Sequence, residues 1–254
     1  MEPIIEVAGL TKNFGGIRAV SDVSFCVTPG QIKSIIGPNG AGKTTLFNMI
    51  SGVLAPTAGK MLFKGKSLLR LKPYQIAALG ISRTFQNIQL FGNMSVLENV
   101  MVGRHIRTNS GALSAAFRLP RARAEERAIA ESAMEKLDFV GLASYAERPA
   151  PSLPIGQQRA LEFARALATE PELLLLDEPA AGLNAYEAGL LAELVTKMGD
   201  TGITVLLVEH NMELVMDIAQ EIIVLNYGEK IAEGLPEEIQ SNEQVILAYL
   251  GEEA

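Results

Sequence analysis

The sequence predicts an α/β fold built on a mainly parallel sheet. The apolar stretch at residues 32–36, the continuous apolar run at 173–176 and the segments 203–208 and 222–225 have the length and texture of buried strands. Stretches with helical character, residues 187–198 and 212–219, alternate with them, and that alternation builds parallel sheets covered on both sides. The first run leads through Gly37-Pro38-Asn39-Gly40-Ala41-Gly42-Lys43-Thr44 into a helix opening at Thr45. This strand–loop–helix context separates a phosphate loop from a chance glycine-rich turn.

Taken in order, residues 4–7 and 21–27 read as β structure, and Pro29-Gly30 marks a turn. Cys26 shares the second stretch with Val23, Phe25 and Val27 and is expected to be a reduced structural thiol. The loop follows. Gly37, Gly40 and Gly42 permit the dihedrals that turn backbone N–H groups inward, and the helix N-terminus adds partial positive charge. Lys43 is expected to reach the β- and γ-phosphates, and the Thr44 hydroxyl to hold Mg²⁺. A short strand at residues 60–63 precedes a turn at Lys64-Gly65-Lys66.

From about Asn87 to Pro154 the texture becomes helical. Ile129, Ala133, Leu137 and Val140 form one apolar stripe, with Gly141 as a helix stop. Residues 108–122 are less periodic, a loop or a variable helix, and carry Arg118, Arg121 and Arg123. Such a cluster reads as a solvated face, or as a contact for acidic partners or lipid headgroups. A helix with Leu161, Ala164 and Leu167 follows Pro154, and residues 236–250 read as one or two small helices.

Composition narrows the function. The 254 residues are 48% hydrophobic, which fits one large globular domain and argues against disorder. A formal net charge of −7 lacks the basic footprint of a nucleic-acid binder. The single cysteine excludes an intramolecular disulfide. The N-terminus lacks the pattern of a secretory signal, and no run approaches the roughly 20 apolar residues of a membrane span. The expectation is a cytosolic chain that reaches a membrane only through partners.

Asp177 and Glu178 end the apolar run 173–176, where the strand ends of a nucleotide-binding sheet face the phosphates. Asp177 is expected to hold Mg²⁺, and Glu178 to orient or deprotonate the attacking water. His210 follows the next strand and is placed to donate to the γ-phosphate. Gln86 sits where β texture gives way to helical texture, placed to contact Mg²⁺ or the attacking water.

Leu153-Pro154-Ile155-Gly156-Gln157-Gln158-Arg159 resembles the signature motif of the ABC transporter ATPases, Leu-Ser-Gly-Gly-Gln in most members. The resemblance covers nearly the whole chain in order. It implies that Phe14 stacks on adenine and that Gly37, Asn39, Gly40, Ala41, Gly42, Lys43, Thr44 and Thr45 cradle ATP. It further implies that Gln86 is the mobile glutamine and that Gly156 and Gln157 contact the γ-phosphate held by an opposite subunit. Asp177 and Glu178 would be the metal-binding and general-base pair. Residues 181–184, Ala-Gly-Leu-Asn, would form a dimer-contacting loop, and His210 the switch histidine. Pro154, Ile155 and Asn184 depart from the usual Ser, Gly and Asp.

The implied fold is a phosphate-loop core with a mixed, mainly parallel sheet, an antiparallel β subdomain and an α-helical signature subdomain. Residues 1–86 and 155–235 would form the core with its β lobe, 87–154 the helical part and 236–254 a helical tail. The implied machine is a head-to-tail dimer of ATPases that uses ATP and Mg²⁺, bound to permease subunits on the cytoplasmic face of the inner membrane. A periplasmic binding protein would feed it.

The Leu-Pro opening of the signature and Ala180-Ala181-Gly182-Leu183-Asn184 are similar to one of the two ATPases of bacterial branched-chain amino acid importers. The segments 14–16, 102–105 and 231–234 carry the same similarity. Urea-type importers share much of this pattern. Lipid or polysaccharide export and a non-transport ATPase remain as alternatives. The non-transport relatives usually carry a long coiled-coil insertion or tandem cores, and neither is visible here. A small-molecule kinase would leave Gly156-Gln157 and His210 unexplained.

Overall fold

The computed structural model describes residues 2–104 and 120–250. His105, Arg118 and most of the 108–122 stretch therefore lie outside the described residues. Arg121 and Arg123 fall at the start of a helix where side chains are not described. The chain divides into two compact units, Met1–Gln86 with Glu172–Ala254, and Asn87–Pro171.

The first unit holds both sheets. An antiparallel sheet runs in the order β2-β1-β4-β5, with β1 Ile5–Phe14, β2 Ile17–Val27, β4 Ala58–Phe63 and β5 Lys66–Ser67. A mixed sheet runs β10-β9-β3-β8-β7-β6. Its members are β3 Ile32–Ile36, β6 Ile81–Arg83, β7 Leu173–Asp177, β8 Thr204–Val208, β9 Glu221–Asn226 and β10 Glu229–Gly234. All pairings are parallel except that of β10 with β9. Every residue of β3, β7 and β8 is buried, which is why β7 and β8 read as apolar runs, whereas β3 also buries Lys33 and Ser34. The helices of this unit are α1 Lys43–Ile50, α2 Pro73–Leu79, α6 Ala185–Asp200, α7 Met212–Ile218, α8 Pro236–Gln240 and α9 Glu243–Leu250. One core packs Leu46, Phe47 and Ile50 of α1 against Val7 and Phe25 of the antiparallel sheet and Leu175 and Val208 of the mixed sheet.

Cys26 is a free thiol, as expected. Val23, Phe25 and Val27 point into the core, so Cys26 falls on the opposite face of β2 and is exposed. Partial burial, with the charge of Glu6 adding, still pushes its thiol pKa up. It is a poor thiolate and a poor nucleophile.

Lys33 is a charged residue in a fully buried strand, and its side chain is 2% exposed. Its Nζ donates to the carbonyl of Cys26 at 2.8 Å and pairs with Glu233 at 2.5 Å and Glu221 at 2.9 Å. Burial alone would push the Glu233 carboxyl up. Hydrogen bonds from Lys230 and Lys33 outweigh it and hold the group below its ordinary value of 4.5. The stabilisation this brings is complete above that ordinary value and is lost as pH falls through the lowered folded value. We expect Lys33→Met to cost about 2–4 kcal/mol at neutral pH, a buried-pair penalty reduced for the partly exposed glutamates. Denaturant unfolding should show the gap from wild type narrowing below pH 4.5; a gap independent of pH would contradict this account.

The second unit comprises α3 Val96–Arg104, α4 Pro120–Phe139 and α5 Ile155–Leu167, with short 3₁₀ turns between α4 and α5. Ala133 and Leu137 of the predicted stripe meet Val96 and Val100 of α3 and Leu161 and Ala164 of α5. Gly141 follows the helix end with φ +76°, the left-handed conformation glycine tolerates best. The unit runs to Pro171 and so includes α5. Its buried stripe completes the helical cluster.

Candidate active site

β3, β7 and β8 end in register: Ile35 lies opposite Val208, and Val208 opposite Asp177. The segments leaving these strands therefore emerge side by side at the carboxyl edge of the sheet, where such folds bind ligands.

The loop after β3 is shaped by steric necessity. Gly37 has φ +148°, and a Cβ there would lie 2.0 Å from the carbonyl oxygen of Leu225 on β9. Gly42 precedes α1 with φ +101°, and its Cβ would meet the Ala19 carbonyl of β2 at 2.5 Å. Ala41 is buried, while Asn39, Gly40 and Thr44 are exposed and Thr45 is half-buried. α1 has no side-chain cap and no acidic residue in its first turn. The first N–H groups of a helix lack intrahelical acceptors and carry the positive end of its dipole. The Lys43 ammonium bends back over the loop and donates to the carbonyls of Gly37 at 2.5 Å and Pro38 at 2.9 Å. Backbone N–H groups, an ammonium and hydroxyls, with no carboxylate among residues 37–45, are a donor set suited to phosphate.

Asp177 is the buried last residue of β7, and Arg83 Nη2 donates to its Oδ2 at 2.7 Å. Glu178 follows with φ +46°, a left-handed conformation that costs a non-glycine residue about 1 kcal/mol. Its N–H donates to the Val208 carbonyl at 2.8 Å, which anchors the turn. Gln86 Nε2 donates to Glu178 Oε2 at 2.5 Å. His210 Nδ1 stands 3.8 Å from the same oxygen, beyond hydrogen-bond reach, with its side chain 62% exposed. Gln86, Glu178 and His210 thus converge on one carboxylate. Phe14 is half-exposed at the end of β1, with the Lys12 ammonium 5.2 Å above its ring. It shares a hairpin with Ala19, the residue beside Gly42.

Sequence reasoning passed over Glu209. Its carboxylate is fully buried and accepts from the N–H groups of Ala180 at 2.9 Å, His210 at 2.7 Å and Asn211 at 3.0 Å. One side chain thereby fixes both the segment after Glu178 and the backbone of His210. Asn184 has a local role of its own. It caps α6, accepting from Glu187 N at 3.0 Å, and the Glu187 carboxylate accepts from Asn184 N at 3.1 Å.

In the second unit, Gly156 and Gln157 open α5 behind Pro154, and no side chain caps this helix either. The Gln157 Oε1 is buried without a hydrogen-bond partner. The loop following Gln86 is fastened within this unit. Gln89 N–H donates to Glu162 at 2.9 Å, Arg165 donates to the Gln89 carbonyl, and Asn99 exchanges hydrogen bonds with Phe91 at 2.9 and 3.1 Å. Burial pushes the Glu162 carboxyl up, against the opposing pull of Gln89, Arg159 and Arg165.

Among the described residues no group of three or more His, Cys, Asp or Glu side chains is placed to hold a metal ion. A protein-only cage is absent there. Mg²⁺ commonly takes one or two protein oxygens and completes its shell with water and phosphate, and Thr44 with Asp177 fits that pattern.

Fold and site together define an ATP-binding cassette. The family description "ABC transporter" matches residues 20–181, and the chain belongs to that family. A second description, "Branched-chain amino acid ATP-binding cassette transporter", matches residues 229–254. The chain is 47% identical over 251 residues to the high-affinity branched-chain amino acid transport ATP-binding protein BraF of Pseudomonas aeruginosa, covering 98% of each chain. It is 44% identical to the corresponding protein LivG of Escherichia coli K12, covering 99% of each. The crystal structure of an ABC transporter cassette in its ADP conformation superposes with a TM-score of 0.87 at 33% identity, covering 99% of this chain and 100% of that one.

Proposed function

We propose that this chain hydrolyses ATP to power import of branched-chain amino acids across the inner membrane. The observation that carries the ATPase chemistry is the convergence at one sheet edge of the loop 37–44, the Asp177-Glu178 pair and His210. The similarity to BraF and LivG along nearly the whole chain supports the transported class.

In this reading adenine stacks on Phe14, and the N–H groups of residues 39–45 with Lys43 hold the phosphates. Thr44 and Asp177 hold Mg²⁺, which, when bound, withdraws charge from the phosphate oxygens. Glu178 takes the proton of the attacking water, Gln86 orients that carboxylate, and His210 donates to the γ-phosphate. Gly156 and Gln157 serve the nucleotide of a second, homologous ATPase in a head-to-tail dimer. The uncapped start of α5 supports an anion there. Among the described residues no helix is long and apolar enough to cross a membrane. Permease subunits would hold the chain at the cytoplasmic face, with a periplasmic binding protein supplying substrate.

Radiolabelled leucine uptake tests this in cells lacking the gene. We expect uptake to be lost and to return with the wild-type gene but not with Glu178→Gln. Full uptake in the deleted strain would remove the branched-chain assignment and leave the ATPase standing.

A further inference from the structure

Arg83 is a cation built into the site and unused by the chemistry above. Its guanidinium and the Asp177 carboxylate meet at 2.7 Å with side chains only 8% and 7% exposed. Nη1 donates to Asn48 Oδ1 and Ser51 Oγ, both at 2.8 Å, at the far end of α1. The rings of Phe47 and Phe85 flank it, their centroids 5.7 and 5.4 Å from the guanidinium carbon. Held from four directions, this group is fixed in place beside the carboxylate. It occupies Oδ2 of Asp177 and leaves the other oxygen for a further partner.

We propose that Arg83 is the resident counter-ion of Asp177. It neutralises the carboxylate when no metal is present, so that Asp177 captures Mg²⁺ only when phosphates arrive with it. The inference rests on the reading of Asp177 as the metal-holding residue. The physical reason is charge balance. A buried carboxylate already paired with a fixed guanidinium offers a divalent cation little net attraction, and the guanidinium repels it. Nucleotide phosphates add the missing negative charge. Metal and nucleotide then reinforce each other, and by reciprocity each raises the affinity for the other by the same factor. The same guanidinium stacks on Phe85, the neighbour of Gln86, and so the metal carboxylate and the glutamine segment share one anchor.

The test uses the full chain and Mn²⁺ alone, followed by the loss of its free-ion electron paramagnetic resonance signal. Wild type is expected to bind Mn²⁺ weakly without nucleotide. Arg83→Met should bind it at least about tenfold more tightly, because the competing charge is gone. Arg83→Lys, which keeps the charge, should behave as wild type. Arg83→Met with Asp177→Asn should lose the gain. Arg83→Gln, which retains amide donors for Asn48 and Ser51, replaces Arg83→Met if thermal unfolding shows that the latter does not fold, and the same tenfold threshold applies.

Mn²⁺ affinity in the folded variant equal to wild type would overturn the proposal. A tightening in Arg83→Lys equal to that in Arg83→Met would overturn it as well, since charge would then be irrelevant. Titration of Mn²⁺ in the presence of ATP with Asp177→Asn separates the underlying reading. Unchanged binding there would remove Asp177 as a metal holder, and the role of Arg83 with it. Weakened binding there, with no gain from Arg83→Met alone, would remove only the counter-ion.

Discussion

Glu178→Gln is expected to lower ATP turnover about 10²–10⁴-fold while leaving ATP affinity within a few-fold of wild type. The amide matches the carboxylate in size, and its carbonyl oxygen still accepts the hydrogen bond from Gln86 that is now 2.5 Å long. The turn at φ +46° depends on the backbone and on the anchor to Val208, and neither changes. What disappears is the ability to take a proton. Steady-state phosphate release and equilibrium binding of a fluorescent ATP analogue, measured on one preparation, separate the two effects. Turnover at the wild-type rate would end the general-base assignment. A matching loss of affinity would mean that the residue shapes the pocket instead.

Lys43→Ala has the second-largest expected effect, on binding. The ammonium is the only full positive charge in the loop, and it lies over the carbonyls of Gly37 and Pro38. Charge-assisted contacts to phosphate in a partly dry site are the strong ones. ATP affinity should fall about 100-fold or more. Part of any loss would come from the loop itself, which forfeits two internal hydrogen bonds. Thermal unfolding without nucleotide measures that part, and only the excess belongs to the phosphates. Unchanged affinity would contradict the placement of the phosphates in this loop.

Much of this architecture was legible because burial on both faces leaves an unmistakable trace. β7, β8 and β9 read as apolar runs, β3 as an apolar stretch interrupted by Lys33 and Ser34, and the strand–loop–helix at residues 32–50 needed no tertiary information. β6 and α2 were missed. β6 is three residues long, too short to express a period, and α2 buries only Ile76. β10 was missed because it is an edge strand, partly exposed along its length. The face of Cys26 was decidable from parity alone, since Val23, Phe25 and Val27 occupy alternate positions and Cys26 does not. The assignment of α5 was not decidable. An amphipathic stripe says that one face is covered and is silent on what covers it.

Partners of buried charges were equally hidden. Arg83 and Asp177 are 94 positions apart, and Glu209 and Ala180 are 29 apart. A charge inside an apolar segment is visible in a sequence, but its counterpart is fixed only when strands register. The residues that resembled a known family were located by their motifs; those that hold them in place were not.

Glu209 has a consequence in time as well as in space. The N–H groups of Ala180, His210 and Asn211 all end on one carboxylate that water does not reach. Ala180 ends on Oε1 and the other two on Oε2, and releasing either set leaves the buried carboxylate half-satisfied, which is costly. Local opening of the loop after Glu178 is therefore expected to be coupled to opening of the His210 turn. Loosening that starts at either loop is expected to reach the other through this carboxylate.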